Sequence, residues 1–234
     1  KVHFIGHPLI AIEREEGEED SSPEHPLSAE EGELKVVLMP GSRRGELSNY
    51  MPPLAEAVQI LGRSGKKYKF FILKAPSLDI DDFLPYLDEV SPKPEIIEGP
   101  ARKILPGADF AVAALGTATL ETALAGTPAV LIGKVSPMTY KLGMKFLGMD
   151  LEYYSLVNFI LGRHAVPELI QDDVTGENIA RTIEDITSSP RAMDDLKKAA
   201  REVRENLNRI PHETDMKGDS AGERAAAILD EMVL

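Results

Sequence analysis

Leu34–Leu47 reads LKVVLMPGSRRGEL, an apolar run that ends in a proline-glycine turn and passes at once into a segment of helical spacing. The run is short and rich in Val and Leu, as expected of a strand buried on both faces of a sheet. A plain turn needs only the proline and the glycines. Ser42, Arg43, Arg44 and Glu46 are surplus to it. An arginine here adds bidentate donors suited to phosphate oxygens. Backbone N–H groups at a helix start carry partial positive charge, and glycine lets an anion approach them closely. From the residues alone the turn reads two ways, as a solvated arginine turn or as an anion site. It is not a Walker A loop, since G-x-x-x-x-G-K-[ST] is absent, and this argues against nucleotide hydrolysis of that type.

The pattern repeats along the chain. Strand-like runs at Tyr68–Leu73, Glu95–Ile97, Phe110–Ala114 and Ala129–Ile132 are separated by stretches of helical spacing. After the first strand, Leu54, Val58 and Leu61 share one helical face, with Pro52 and Pro53 expected in the first turn, where proline is tolerated. Strand and helix alternating in this way predict an α/β fold, a Rossmann-like parallel sheet with helices on both faces. Ligands of such sheets bind where loops leave the carboxyl ends of the strands. PGSRRGEL and LGTATLE both occupy loops of that kind. Further on, Ile179, Ile183 and Ile186 form an apolar stripe with Thr175 as N-cap. Met193, Leu196, Ala200, Val203 and Leu207 continue the spacing after Pro190, and Ala221 to Val233 predicts a last helix suited to packing on another domain or subunit.

The second loop, ALGTATLETALAGTPAVLIGK, spans Ala114 to Lys134. Gly116 opens its turn, Thr117 and Thr119 are candidate caps, and Glu121 is expected in the first helical turn. A glutamate there either offsets the helix dipole or faces the crevice, where its carboxylate accepts two hydrogen bonds from a ribose diol.

Composition narrows the class. The 234 residues, 43% hydrophobic and 28% charged, describe a soluble globular protein with a real core, and no apolar run approaches the roughly 20 residues of a membrane span. A net charge of -13 argues against broad nucleic-acid binding, so any anion site must be local. The absence of cysteine fits a cytoplasmic protein, and the five histidines lack metal-ligand spacing, so neither a metal nor a cofactor is expected. The opening KVHFIGHPL is strand-like and unlike a signal peptide, the reading expected for the middle of a longer protein. Residues 1–12 read as an interdomain hinge, 13–33 as an exposed acidic linker, 34–210 as the sheet domain, and 211–234 as a linker and helix.

GHPL near the start, LMPGSRRGEL, LGTATLETALAGTPAV, KVSPMTYKL, YYSLVNFILGRHAVPELIQ and the closing AGERAAAIL follow in the order and rough spacing of lipid-A-disaccharide synthase, and the chain resembles that family over nearly its whole length. The resemblance implies the C-terminal half of an inverting GT-B glycosyltransferase. Such an enzyme joins UDP-2,3-diacylglucosamine to 2,3-diacylglucosamine 1-phosphate and releases UDP. It implies that Gly41, Ser42, Arg43 and Glu46 form one nucleotide-side loop, that Gly116, Thr117, Thr119 and Glu121 form the second, and that Asn158 and Arg163 sit near the cleft. It places the acceptor site and the catalytic base in an N-terminal half that would be this chain's partner, with the inner-membrane surface and a second copy as further candidate partners and a cytoplasmic or peripheral location. Two positions depart from the family pattern: Ile10-Ala11, where an aspartate is usual, and Leu115, where a serine is usual. Rival readings are another GT-B sugar-nucleotide enzyme, such as a UDP-N-acetylglucosamine 2-epimerase, or a non-catalytic nucleotide-binding module.

In Met138–Met149, MTYKLGMKFLGM, apolar residues fall on two helical faces with Lys141 and Lys145 between them. This fits a buried helix or one lying against a membrane surface or acyl chains.

Overall fold

The computed structural model describes residues 27–134, 152–208 and 221–233, together with Ile5, His7 and Leu9. The strand expected at the N-terminus falls mostly outside these, and the acidic residues 13–26 and the Met138–Met149 segment lie wholly outside them. The chain divides into two units, His25–Arg201 and a second made of residues 1–24 and 202–234.

The larger unit is built on six parallel strands: β1 Leu34–Met39, β2 Tyr68–Lys74, β3 Glu95–Glu98, β4 Phe110–Ala114, β5 Ala129–Gly133 and β6 Glu168–Ile170. Their order across the sheet is β3-β2-β1-β4-β5-β6. The helices are α1 Arg44–Gly62, α2 Ala101–Ile104, α3 Thr117–Ala125, α4 Leu156–Leu161, α5 Gly176–Thr187, α6 Pro190–Asn208 and α7 Ala221–Val233. All five strands expected from Leu34 onward are present. The sixth went unread because ELI is three residues long, too short to register a period, and only half-buried.

Alternation along each strand sends side chains to two faces. Val36, Leu38, Phe70, Ile72, Phe110 and Val112 meet Leu54, Val58 and Leu61 of α1 and Ile179 and Ile183 of α5. Val37, Met39, Phe71, Leu73, Ala111 and Leu131 meet Ala101 and Ile104 of α2. Because both faces are covered, the strands are continuously apolar, which is what made them legible.

One helix differs from expectation. α1 begins at Arg44, so Pro52 and Pro53 stand in its interior and not in its first turn. A proline there removes the bond to the carbonyl four residues back. Those carbonyls belong to Ser48 and Asn49, which lie on the exposed side of the helix, within reach of solvent. Eight residues of the helix remain buried, among them Leu47, Met51 and Leu61, and that burial holds it together across the defect. α5 starts as expected, with the Thr175 hydroxyl accepting the Asn178 N–H at 3.1 Å. In the smaller unit the buried Arg224 of α7 donates from its guanidinium to the Ile5 carbonyl at 3.0 Å.

Candidate functional site

β1 and β4 are neighbours, yet the chain leaves them toward opposite faces: α1 covers the Val36 face, while α3 packs through Ala118 and Ala125 against the Val37 face. Divergence of this kind opens a crevice at the carboxyl ends of the strands. A cavity of about 700 Å³ occupies it, and both loops singled out in the sequence line it.

The first wall is the β1–α1 turn. Gly41 has φ +105, a backbone conformation that L side chains rarely adopt, and a Cβ there would run into the Glu46 carboxylate. That closeness has a purpose. Glu46 Oε2 accepts the backbone N–H of Ser42 at 2.7 Å and of Arg43 at 3.2 Å, and its Oε1 takes Arg43 Nη1 at 3.2 Å. Two amides of this turn, those of Ser42 and Arg43, are therefore satisfied from within by a carboxylate. Glu46 and Gly41 shape the loop, and Arg43 is what it offers to the cavity. The two arginines part company here. Arg43 lines the cavity, whereas Arg44 pairs through Nε with Asp82 Oδ1 at 2.9 Å and through Nη2 with Asp79 Oδ2 at 3.6 Å. The backbone N–H of Asp79 and the Arg44 guanidinium hold the Asp82 carboxyl below the usual range. Ser77 Oγ, which donates to the Ser42 carbonyl at 2.6 Å, completes the buttress.

The second wall is the start of α3. Gly116 is its N-cap residue at φ +149 and ψ -153, a region open essentially to glycine alone, and no side chain caps the helix. Neither threonine acts as the expected cap. Thr119, fully buried, donates its hydroxyl to the Gly116 carbonyl at 2.8 Å, and Thr117 lines the cavity with Gly116 and Ala118. The two amides just ahead of α1, on Ser42 and Arg43, are thus closed by a carboxylate, while α3 presents its first turn to the cavity without a side-chain cap. Glu121 is the fifth residue of α3 and so lies beyond the first turn, where the helix dipole acts only weakly. It too lines the cavity, and burial pushes its carboxyl above the usual glutamate range against the opposing effect of the Arg102 guanidinium. Leu115, in the place of the serine that the resemblance implies, lines the cavity as well and packs over Gly133.

A third wall went unread in the sequence. Lys74 ends β2 beside its register partner Glu98, with Nζ 3.3 Å from Glu98 Oε1 and 2.8 Å from the Leu78 carbonyl it donates to. Gly99, Pro100 and Arg102 follow Glu98 into the cavity wall. The signal was present, for EGPARK repeats after β3 the proline, glycine and arginine that follow β1.

Asn158 and Arg163 are not among the residues lining this cavity. Asn158 is fully buried, and its amide is spent on the chain nearby. Oδ1 accepts the N–H of Ala165 and of Val166, each at 2.9 Å, and Nδ2 donates to the Val166 carbonyl at 2.8 Å. Arg163 is exposed, just past the α4 C-cap Gly162. Among the described residues no helix is long and apolar enough to cross a membrane.

The strand order, two-sided covering and switch-point crevice define a doubly wound parallel α/β domain with a ligand crevice at the carboxyl ends of its strands. Solved structures share this fold. The spinosyn rhamnosyltransferase SpnG complexed with thymidine diphosphate superposes with a TM-score of 0.57 at 15% identity, over 90% of this chain and 49% of that one. A Listeria monocytogenes protein named a putative UDP-N-acetylglucosamine 2-epimerase gives 0.52 at 13% identity, over 81% and 48%. The chain belongs to the lipid-A-disaccharide synthetase family, whose profile matches residues 1–217. The lipid-A-disaccharide synthase of Syntrophus aciditrophicus (strain SB) is 34% identical over 230 residues, 97% of this chain and 56% of that protein. That of Solibacter usitatus (strain Ellin6076) is 37% identical over 205 residues, 87% and 52%. The chain spans about half the length of the curated relatives it matches.

Proposed function

We propose that this chain holds the UDP part of the sugar donor in a glycosyltransferase that joins UDP-2,3-diacylglucosamine to 2,3-diacylglucosamine 1-phosphate with release of UDP. The observation that carries the reading is the crevice between the β1 and β4 loops in a chain of this family. The diphosphate takes the N-terminal turn of α3 at Gly116 and Thr117, whose amide dipoles favour negative charge, and Arg43 closes over it from the opposite wall. Glu121 accepts the ribose hydroxyls. Glu46, Gly41 and Ser42 keep the Arg43 loop in shape. The general base and the acceptor site are assigned to another part of the full-length protein, as the family resemblance implies. The acylated substrates make a membrane surface the natural meeting place, with a peripheral and cytoplasmic location.

Calorimetry of UDP into the isolated chain tests this directly. Binding with a Kd between about tens of micromolar and a millimolar is expected for a cleft lined on one side only, with no disaccharide formed when both substrates are supplied. Failure to bind UDP would remove the donor-site reading, and measurable transfer would remove the division of labour.

A further inference from the structure

Six charged residues line the crevice: Arg43, Lys74, Arg102, Glu46, Glu98 and Glu121. Two pairs of opposite charge are closed by ion pairs, Arg43 with Glu46 at 3.2 Å and Lys74 with Glu98 at 3.3 Å. The third cation and the third carboxylate are Arg102 on α2 and Glu121 on α3, two helices packed side by side. Among the described residues, the other elements packed on α3 carry no charged side chain, and the remaining charges on the crevice wall are Arg43, Lys74, Glu46 and Glu98. β4 is FAVAA, β5 is AVLIG, α4 is LVNFIL, and the turn Leu105–Gly107 is LPG, while Lys103 of α2 is exposed.

We propose that Arg102 is a positioning residue for nucleotide recognition: its guanidinium keeps the Glu121 carboxylate charged within the crevice, in the state that accepts both hydroxyls of a ribose diol. This rests on the reading of Glu121 as the ribose acceptor. A carboxyl losing water on the cavity wall drifts toward its neutral form, and a neutral carboxyl has given up part of its accepting capacity. A cation on the neighbouring helix opposes that drift without itself touching the sugar. The direction of the two influences on Glu121, burial upward and Arg102 downward, agrees with this arrangement.

The test begins on the ligand-free chain, labelled with carbon-13 at its glutamate carboxyls and titrated by NMR. Arg102→Gln and Arg102→Met should each move the Glu121 midpoint to higher pH, and Arg102→Lys should leave it near the wild-type position. The methionine variant keeps the packing of the arginine stem, so the result does not hang on one substitution. An unmoved midpoint in both neutral variants overturns the proposal. The second arm uses uridine, which carries no phosphate to titrate, against 2′,3′-dideoxyuridine. Uridine binding should be lost as the pH falls through the Glu121 midpoint, and lost at higher pH in Arg102→Gln, while the dideoxy compound shows no such dependence. If the midpoint moves but the two nucleosides bind alike, the coupling of the two side chains stands and the ribose role of Glu121 falls, taking the purpose proposed for Arg102 with it. If Arg102→Gln weakens UDP far more than uridine with the midpoint unmoved, Arg102 reads the phosphates instead.

Discussion

Glu121 sets stability against binding. Because burial raises its carboxyl in the folded chain, the stability linked to this group is full below the ordinary glutamate range and is lost as the pH rises through the raised value. Glu121→Gln removes that loss. Its melting temperature should exceed that of the wild type near about pH 8, and the gap should close toward about pH 4. UDP affinity should move the other way, falling about tenfold or more, as when a hydrogen bond to a charged group is lost. A variant less stable at every pH, with unchanged UDP binding, would make Glu121 a structural residue. The arginine pair supplies a second contrast. Arg43 is held to Glu46 by an exposed pair worth little, which leaves it free to turn to a ligand. Arg43→Ala should weaken UDP by about tenfold to a hundredfold and uridine hardly at all. Arg44→Ala, whose side chain is engaged with Asp79 and Asp82, should leave both affinities near wild type. Equal effects of the two substitutions in an affinity series would sink the assignment of Arg43 to phosphate.

At the scale of elements, the crevice works because its loops are braced from behind. The β1–α1 turn is gripped by Glu46 from within and by Ser77, Asp79 and Asp82 from the segment after β2, so the position of Arg43 is set by a neighbouring loop as much as by its own. The α4–β6 connection is braced in a different way, around Asn158. Replacing Asn158 by alanine takes this partner from the Val166 amide and carbonyl, while the Ala165 N–H keeps the Arg163 carbonyl at 2.9 Å, and each polar group left unpaired costs about 1–3 kcal/mol. Asn158→Ala should therefore lower unfolding stability by about 2–4 kcal/mol while UDP affinity at a permissive temperature changes little. A selective loss of UDP binding with stability intact would return Asn158 to the ligand site, as the family resemblance had suggested. The tract SLVNFILGRHAVPELIQ carries the family likeness strongly, and in this structure its asparagine works on packing.

For the molecule as a whole, the sheet sets the order of stability. β1 and β4 lie at its centre, with Val36, Val37, Ala111 and Val112 fully buried, whereas β6 is an edge strand of half-buried residues. Native-state hydrogen exchange should show the amides of β1 and β4 opening only with global unfolding, and those of β6 opening well below it. Uniform protection across the six strands would contradict that ranking. The rigid centre is also where the two site loops are anchored, so the crevice is built at the most stable part of the fold. On the proposed reading, a chain of net charge -13 meets an anionic ligand there through a local arrangement, with three cations set among three carboxylates of the described residues.

The sequence by itself determined five of the six strands, their parallel arrangement, and the two loops at the carboxyl ends of β1 and β4. These follow from apolar runs, turn residues and helical spacing, all of which are local. It also carried the family, in the order of its motifs. What only the tertiary structure decided were partnerships across the chain. LMPGSRRGEL reads as an anion cradle until Glu46 is seen to fill it, because which acceptor takes an amide depends on side-chain geometry and not on composition. Pro52 and Pro53 predict a later helix start, and the burial of eight α1 residues against the sheet overrides them. Arg102 stood in plain view in EGPARK, but its relation to Glu121 exists only because β3 and β4, separated in the sheet by β2 and β1, send α2 and α3 to the same face. Periodicity reports which side of an element is buried, and it carries no record of the charge that a distant element will bring beside it.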